Sequence, residues 1–132
     1  MLYVDTSALL KRYVEEPESA ETDRILAADL DWITARHTRI EARRNLSRLL
    51  QGAPLQNALD AFEDDWQQLH VVELDFRTCE RAAEIAEATL ARTLDALHLA
   101  AAMRVGGDIR LFTYDLRQAR AGRALGLPVV GN

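Results

Sequence analysis

Short runs of strand-forming residues alternate with longer helical patterns along this whole chain, and that alternation restricts the fold more than any other feature. The runs are Leu2–Val4, Trp32–Thr34, His70–Leu74, Ile109–Thr113 and Leu127–Val130. Parallel neighbours need a crossover between them, and a helix is the usual one, so the pattern predicts a parallel sheet with helices on both faces. The expected architecture is a three-layer α/β/α sandwich with a central, mainly parallel sheet, as one domain over residues 1–132. With 48% hydrophobic and 28% charged residues, the chain is able to bury a core.

Helical spacing is expected from about Thr6 to Val14, from Pro17 to Ala28, from Arg36 to Leu50 and from Pro54 to Leu69. It returns from Phe76 to Leu90, through Ala96–Met103, and from Leu116 to Leu125, where Gly126 caps the helix. The Ala96–Met103 stretch is apolar nearly all round and should be buried. His70–Leu74 reads as an interior strand and Leu127–Val130 as an edge strand. Two helical patterns separate the second run from the third, so the strand order need not be a plain repeat.

Four acids are singled out by position. Asp5 follows the first strand, and Asp115 follows the fourth. Glu41 lies one turn into the helix after the second strand, and Asp95 starts the buried helix. In an open α/β sheet, strand ends and the following helix starts share one edge, where ligands bind. Asp5, Glu41 and Asp115 therefore have a topological reason to converge, whereas Asp95 follows a helix and a loop. Capping explains Asp5, Asp95 and Asp115 equally well when each is taken singly, and Glu41 could pair with Arg44. Converging carboxylates would need protons, arginines or a divalent cation to neutralise them. Their hard oxygen donors match Mg²⁺ or Mn²⁺, and surroundings poor in His and Cys disfavour zinc.

The net charge of −5 argues against a general basic nucleic-acid coat. A local basic face is compatible with it: Arg36, Arg39, Arg43, Arg44 and Arg48 share a helix with Glu41, Arg92 precedes Asp95, and Arg117 and Arg120 follow Asp115. Nucleic-acid phosphates and nearby acids are alternative partners for these arginines. On the Arg-rich helix, His37, Glu41, Arg44 and Arg48 fall on one stripe. His98, one turn from Asp95, reads as a packed, hydrogen-bonded histidine that could also approach the site. Trp32, Phe62 and Trp66 read as packing aromatics. Cys79, the one cysteine, excludes an internal disulfide and reads as a core thiol. Neither a signal segment nor an apolar run of membrane length is present, so a cytoplasmic protein is expected.

Val4-Asp5-Thr6-Ser7-Ala8-Leu9, Ile40-Glu41, Leu94-Asp95-Ala96-Leu97-His98-Leu99-Ala100 and Leu111-Phe112-Thr113-Tyr114-Asp115 occur in an order and spacing that resemble the PIN domain. More narrowly, they resemble the VapC toxins of bacterial toxin–antitoxin pairs, over almost the whole chain. The resemblance implies a Mg²⁺-dependent ribonuclease, with Mn²⁺ as a substitute, in which Asp5, Glu41, Asp95 and Asp115 are catalytic. It gives Asp5, Asp95 and Asp115 the metal, and Thr6 and Thr113 a supporting place behind the carboxylates. Arg44, Arg92 and Arg117 become candidate RNA contacts. It also implies a homodimer held inactive by a cognate VapB-type antitoxin.

Two other functions fit parts of the pattern: a binding module of the same fold that cuts nothing, and another Mg²⁺-dependent phosphoryl enzyme. Against the latter, a haloacid-dehalogenase-type phosphatase wants a second Asp where Ser7 stands, and no phosphate-binding G-x-x-x-x-G-K-[ST] loop occurs.

Overall fold

The computed structural model describes residues 1–132, and at its centre is a five-stranded sheet whose neighbouring strands all run parallel. The strands are β1 (Leu2–Val4), β2 (Trp32–Ala35), β3 (His70–Val72), β4 (Arg110–Phe112) and β5 (Val129–Val130). Seven helices surround them: α1 (Thr6–Leu9), α2 (Ser19–Ala28), α3 (Thr38–Leu49), α4 (Gly52–Gln68), α5 (Phe76–Thr89), α6 (Thr93–Val105) and α7 (Leu116–Ala124). This is the α/β/α sandwich that the alternation of strand and helix predicts.

The order across the sheet is β3-β2-β1-β4-β5. The chain winds outward from β1 through β2 to β3, then crosses back to lay β4 against the other side of β1. Leu2 of β1 thus pairs with Trp32 on one flank and Arg110 on the other, and Val4 pairs with Phe112. Where the winding reverses, the connections leaving two adjacent strands diverge to opposite faces and open a crevice at the carboxyl ends. Asp5 and Thr113 stand at that crevice because each immediately follows one of the two strands.

Side-chain alternation in β1 separates the two cores. Leu2 and Val4 pack with Leu9, Leu26, Leu46, Phe62 and Phe112 under α1–α4. Tyr3 points the other way, among Ile85, Leu99, Leu111 and Ala121 beneath α5–α7. All three β1 side chains are fully buried, as expected for a parallel strand covered on both faces. Gly122 on α7 lets that helix approach the sheet: a Cβ there would lie 2.7 Å from Leu111 Cδ2.

Several expectations need correction. β3 lies at the edge of the sheet, because β4 pairs with β1 and leaves β3 with β2 as its one neighbour. The first helix is short and tightens into a 3-10 turn at Leu10–Arg12. The second begins at Ser19, beyond Pro17, where the Ser19 hydroxyl accepts from Glu16 N (2.9 Å) and donates to the Val14 carbonyl. Cys79 is exposed: the sheet-facing positions of α5 are Thr78, Ala82 and Ile85, and Cys79 lies off that stripe. The cap of α5 is Asp75, which accepts from the Thr78 N–H and hydroxyl and pairs with Arg104; these partners hold its pKa down to about 2.

Candidate functional site

Asp5, Glu41, Asp95 and Asp115 line one cleft of about 220 Å³, together with Thr6, Ser7, Leu10, Asn45, Arg92 and His98. Each acid comes from a different part of the chain and is held differently. Asp5 follows β1 and caps α1, and it is almost fully buried. Its Oδ1 accepts from Ser7 Oγ (2.7 Å) and Ala8 N (3.1 Å), and its Oδ2 from Thr113 Oγ1 (2.5 Å). Burial pushes the Asp5 carboxyl up in pKa, more than His98 and the three donors pull it down.

Glu41 lies in the first turn of α3, and Thr6 Oγ1 and His98 Nε2 each stand 2.7 Å from its Oε1. Burial raises its pKa, but the His98 hydrogen bond and charge outweigh that and leave it lowered. Asp95 lies in the first turn of α6, where the helix dipole favours a negative charge, and Arg92 Nε reaches its Oδ2 at 3.2 Å. Asp115 caps α7: its Oδ1 accepts from Arg117 N (2.8 Å) and Gln118 N (3.1 Å), while its Oδ2 lies 3.6 Å from Arg92. Thus Asp5 and Asp115 do cap helices, but each keeps carboxylate oxygen at the cleft.

His98, which closes the Leu94-Asp95-Ala96-Leu97-His98 run, does more than pack. His98 bonds through both ring nitrogens, with Nδ1 2.7 Å from the Tyr3 hydroxyl. His37 packs against it, ring centroids 4.1 Å apart, with Nε2 3.7 Å from Glu41 Oε1. Burial and the neighbouring His98 charge lower the His37 pKa to about 4.

The family model for the PIN domain matches residues 2–124. Ribonuclease VapC46 of Mycobacterium tuberculosis is 35% identical over 98% of this chain and 95% of its own length. This chain belongs to the VapC family of PIN domains. Among solved structures, Mycobacterium tuberculosis VapC20, described as a Sarcin-Ricin loop cleaving toxin, superposes with a TM-score of 0.76 at 19% identity, covering 92% of this chain and 95% of that one. A toxin–antitoxin complex from Klebsiella pneumoniae has a chain that matches with a TM-score of 0.70 at 15% identity, covering 87% of each. At those identities the likeness is one of fold.

In this VapC-family chain, four carboxylates share the cleft with a single arginine and no lysine. That donor set, hard oxygen with an excess of negative charge, fits a divalent cation of the magnesium class. Two larger cavities adjoin the cleft. One, of about 570 Å³, shares Arg92 and Asp95 with it and adds Arg117 and Arg120 over a floor that includes Ala88, Ala121 and Ala124. The other, of about 430 Å³, shares Ser7, Leu10, Asn45 and Asp115 and adds Lys11, Arg48 and Tyr114.

Not every residue falls where the sequence pattern puts it. Glu41, Asn45 and Arg48 form the cleft-facing row of α3, so Arg44 is turned to solvent. Arg36 pairs with Glu73, and Arg39 and Arg43 with Glu63 of α4, so this part of the basic helix is spent on internal ion pairs. Arg36 and Arg39 also lie over Trp66, and Phe62 is core. Tyr3, His37, Ser7 and Asn45 had no assigned role. Ser7 was visible beside Asp5, whereas Tyr3 and His98 are 95 positions apart and only folding joins them.

Proposed function

We propose that this chain is the toxin of a VapBC-type pair: a Mg²⁺-dependent endoribonuclease, with Mn²⁺ as a substitute, formed as one PIN domain and acting in the cytoplasm. The observation that carries the reading is the meeting of Asp5, Glu41, Asp95 and Asp115 in one cleft of a VapC-family chain. Asp5, Asp95 and Asp115 would hold the cation, which would supply charge neutralisation, a water of lowered pKa and compensation for charge building on a phosphodiester.

The protein's own part is positioning. Ser7, Thr113 and the Ala8 N–H fix Asp5 from both oxygens, so the one lone pair they leave, on Oδ2, is held in a set direction. Thr6 and His98 both bond Glu41 through Oε1, leaving Oε2 to orient a water or a substrate hydroxyl. Arg92 spans Asp95 and Asp115 with its side chain 63% exposed, so its guanidinium is also open to a phosphate. Arg117 and Arg120 extend the path into the larger cavity. A single RNA strand follows this route, bases over the alanine floor and phosphates along the arginines. Arg44, exposed on α3, is an outlying phosphate contact.

Two partners complete the reading. The relatives' occurrence in toxin–antitoxin complexes supports a VapB-type antitoxin that covers the cleft. Exposed Leu90, Leu94 and Leu116 near the arginine-walled cavity support a homodimer. No helix is long and apolar enough to cross a membrane.

The test is RNA cleavage by purified protein with Mg²⁺ and then with chelator. Cleavage should stop in chelator and fall at least about 100-fold in Asp5→Asn and Asp95→Asn. Cutting that survives both substitutions would assign the activity to a contaminant. Metal binding without cutting of any RNA would establish the non-catalytic binding module instead.

A further inference from the structure

Glu41 is bracketed by two imidazoles at the back of the acidic cleft. His37, Glu41 and His98 each present a donor atom, and these three atoms lie within 4.8 Å of one another. Both histidines are at least nine-tenths buried, so their rings are held by the fold and not by solvent. The sequence gives reason to discount zinc-type chemistry, because the surroundings of the four acids are poor in His and Cys. Folding nevertheless brings two of the three histidines to Glu41.

We propose that His37, Glu41 and His98 form a second cation site, selective for borderline first-row ions of the zinc class. Two imidazole nitrogens and one carboxylate oxygen suit Zn²⁺, Co²⁺ or Ni²⁺, whereas Mg²⁺ prefers oxygen alone. The outer contacts match such a site. Histidines that bind metal through one nitrogen usually engage a fixed partner through the other, and the buried Tyr3 hydroxyl stands 2.7 Å from His98 Nδ1. Without metal, the Glu41 carboxylate can only accept, so the Nε2–H of His98 donates to it and, in the neutral ring, Nδ1 is left to accept from Tyr3. On binding, the His98 proton resides on Nδ1 and Tyr3 rotates to accept it, which frees the Nε2 lone pair with no net loss of a proton.

His37 is the second indicator. Its Nδ1 is buried with no hydrogen-bond partner, and its Nε2 has a 3.2 Å contact with the Leu94 carbonyl. A tautomer change therefore breaks no bond at Nδ1 and gives up one contact at Nε2. A buried polar atom without a partner asks for a reason, and a ring kept adaptable for a ligand is one. Occupancy draws Glu41 Oε1 away from Thr6, so zinc-class ions antagonise the Mg²⁺-supported reaction. That consequence alone rests on the proposed ribonuclease.

Cobalt distinguishes the two sites without RNA. Co²⁺ bound by imidazoles at low coordination number absorbs strongly in the visible, whereas Co²⁺ among oxygens in an octahedral site is pale. Titrating CoCl₂ into the full chain should give a strong visible band that millimolar Mg²⁺ does not bleach and that Asp95→Asn retains. His37→Gln and His98→Gln should each remove the band. Each should also weaken Zn²⁺ at least tenfold in competition with a chromogenic chelator, with near-ultraviolet circular dichroism reporting that the fold persists. His37→Gln gives up only the Leu94 contact, whereas His98 bonds both Tyr3 and Glu41, so it provides the decision even if His98→Gln unfolds. A band that survives His37→Gln, or one that Mg²⁺ removes, would overturn the proposal. Loss of RNA cleavage would leave this readout untouched, so the two readings fail separately.

Discussion

Asp5 has the least comfortable position in the molecule. It sits at a strand end, under the sheet's crossover, with Ser7, Thr113 and one backbone N–H as its donors and no arginine or lysine in direct contact. Neutral donors lower the cost of a buried negative charge without cancelling it, which is why burial dominates and the carboxyl holds its proton more tightly than usual. Asp5→Asn retains the Oδ1 acceptor for Ser7 and Ala8 and removes the charge. The metal-free variant should therefore melt higher than the parent, by roughly 3–5 °C for relief on the order of 1 kcal/mol. The parent should gain stability with millimolar Mg²⁺, and the variant should lose most of that gain. Differential scanning fluorimetry with and without Mg²⁺ checks both. No metal effect on the parent would count against the clustered acids as a cation site.

At the scale of elements, the site depends on how closely helices approach the sheet. α7 carries Asp115 at its amino end, and Gly122 sits where that helix lies on β4. A side chain at Gly122 has to displace the fully buried Leu111 and also meets Val129 and Leu99. A gain in helix propensity from replacing Gly, about 1 kcal/mol for Ala, is offset by overpacking of about 1–3 kcal/mol. For Gly122→Val the branched side chain adds bulk and a weaker propensity, so the overpacking prevails. Urea unfolding should show a lower midpoint for this variant at an unchanged slope, together with weaker Mg²⁺ stabilisation as α7 and Asp115 shift. An unchanged midpoint would mean that α7 is free to move off the sheet.

Across the whole molecule, two apolar cores grip one sheet, and the surface around the arginine-walled cavity is unlike the rest. Leu90 is 87% exposed and holds a left-handed backbone (φ 59°), a conformation that a leucine adopts only at a cost of about 1–2 kcal/mol. Leu94, just after Arg92, and Leu116, just before Arg117, are exposed as well. Apolar groups in such numbers beside a charged groove suit a face covered by a second copy. Sedimentation equilibrium should report a dimer for the parent and a monomer for the double variant Leu90→Asp, Leu116→Asp. A parent that stays monomeric at micromolar concentration would remove these leucines from that role.

Much of this organisation follows from local pattern. The period of the apolar residues gives strand or helix wherever a segment packs against something, and the order of those segments implies a parallel sheet with its junctions along one edge. Asp5, Glu41 and Asp115 are therefore legible as neighbours from the order of the segments, whereas Thr6 and Thr113 as their supports come from the family resemblance. Asp95 was legible only through the resemblance of its flanking residues to a family, since its own segment follows a helix and not a strand. Helix rotation was not legible: it puts Asn45 and not Arg44 at the cleft, and Thr78 and not Cys79 against the sheet. Nor was strand order, which sends β3 to the edge. The grouping of Tyr3, His37, Glu41 and His98 belongs to tertiary structure entirely. Periodicity reports which side of its own element a residue occupies, while contacts across 57 or 95 positions depend on how separate elements are stacked and turned.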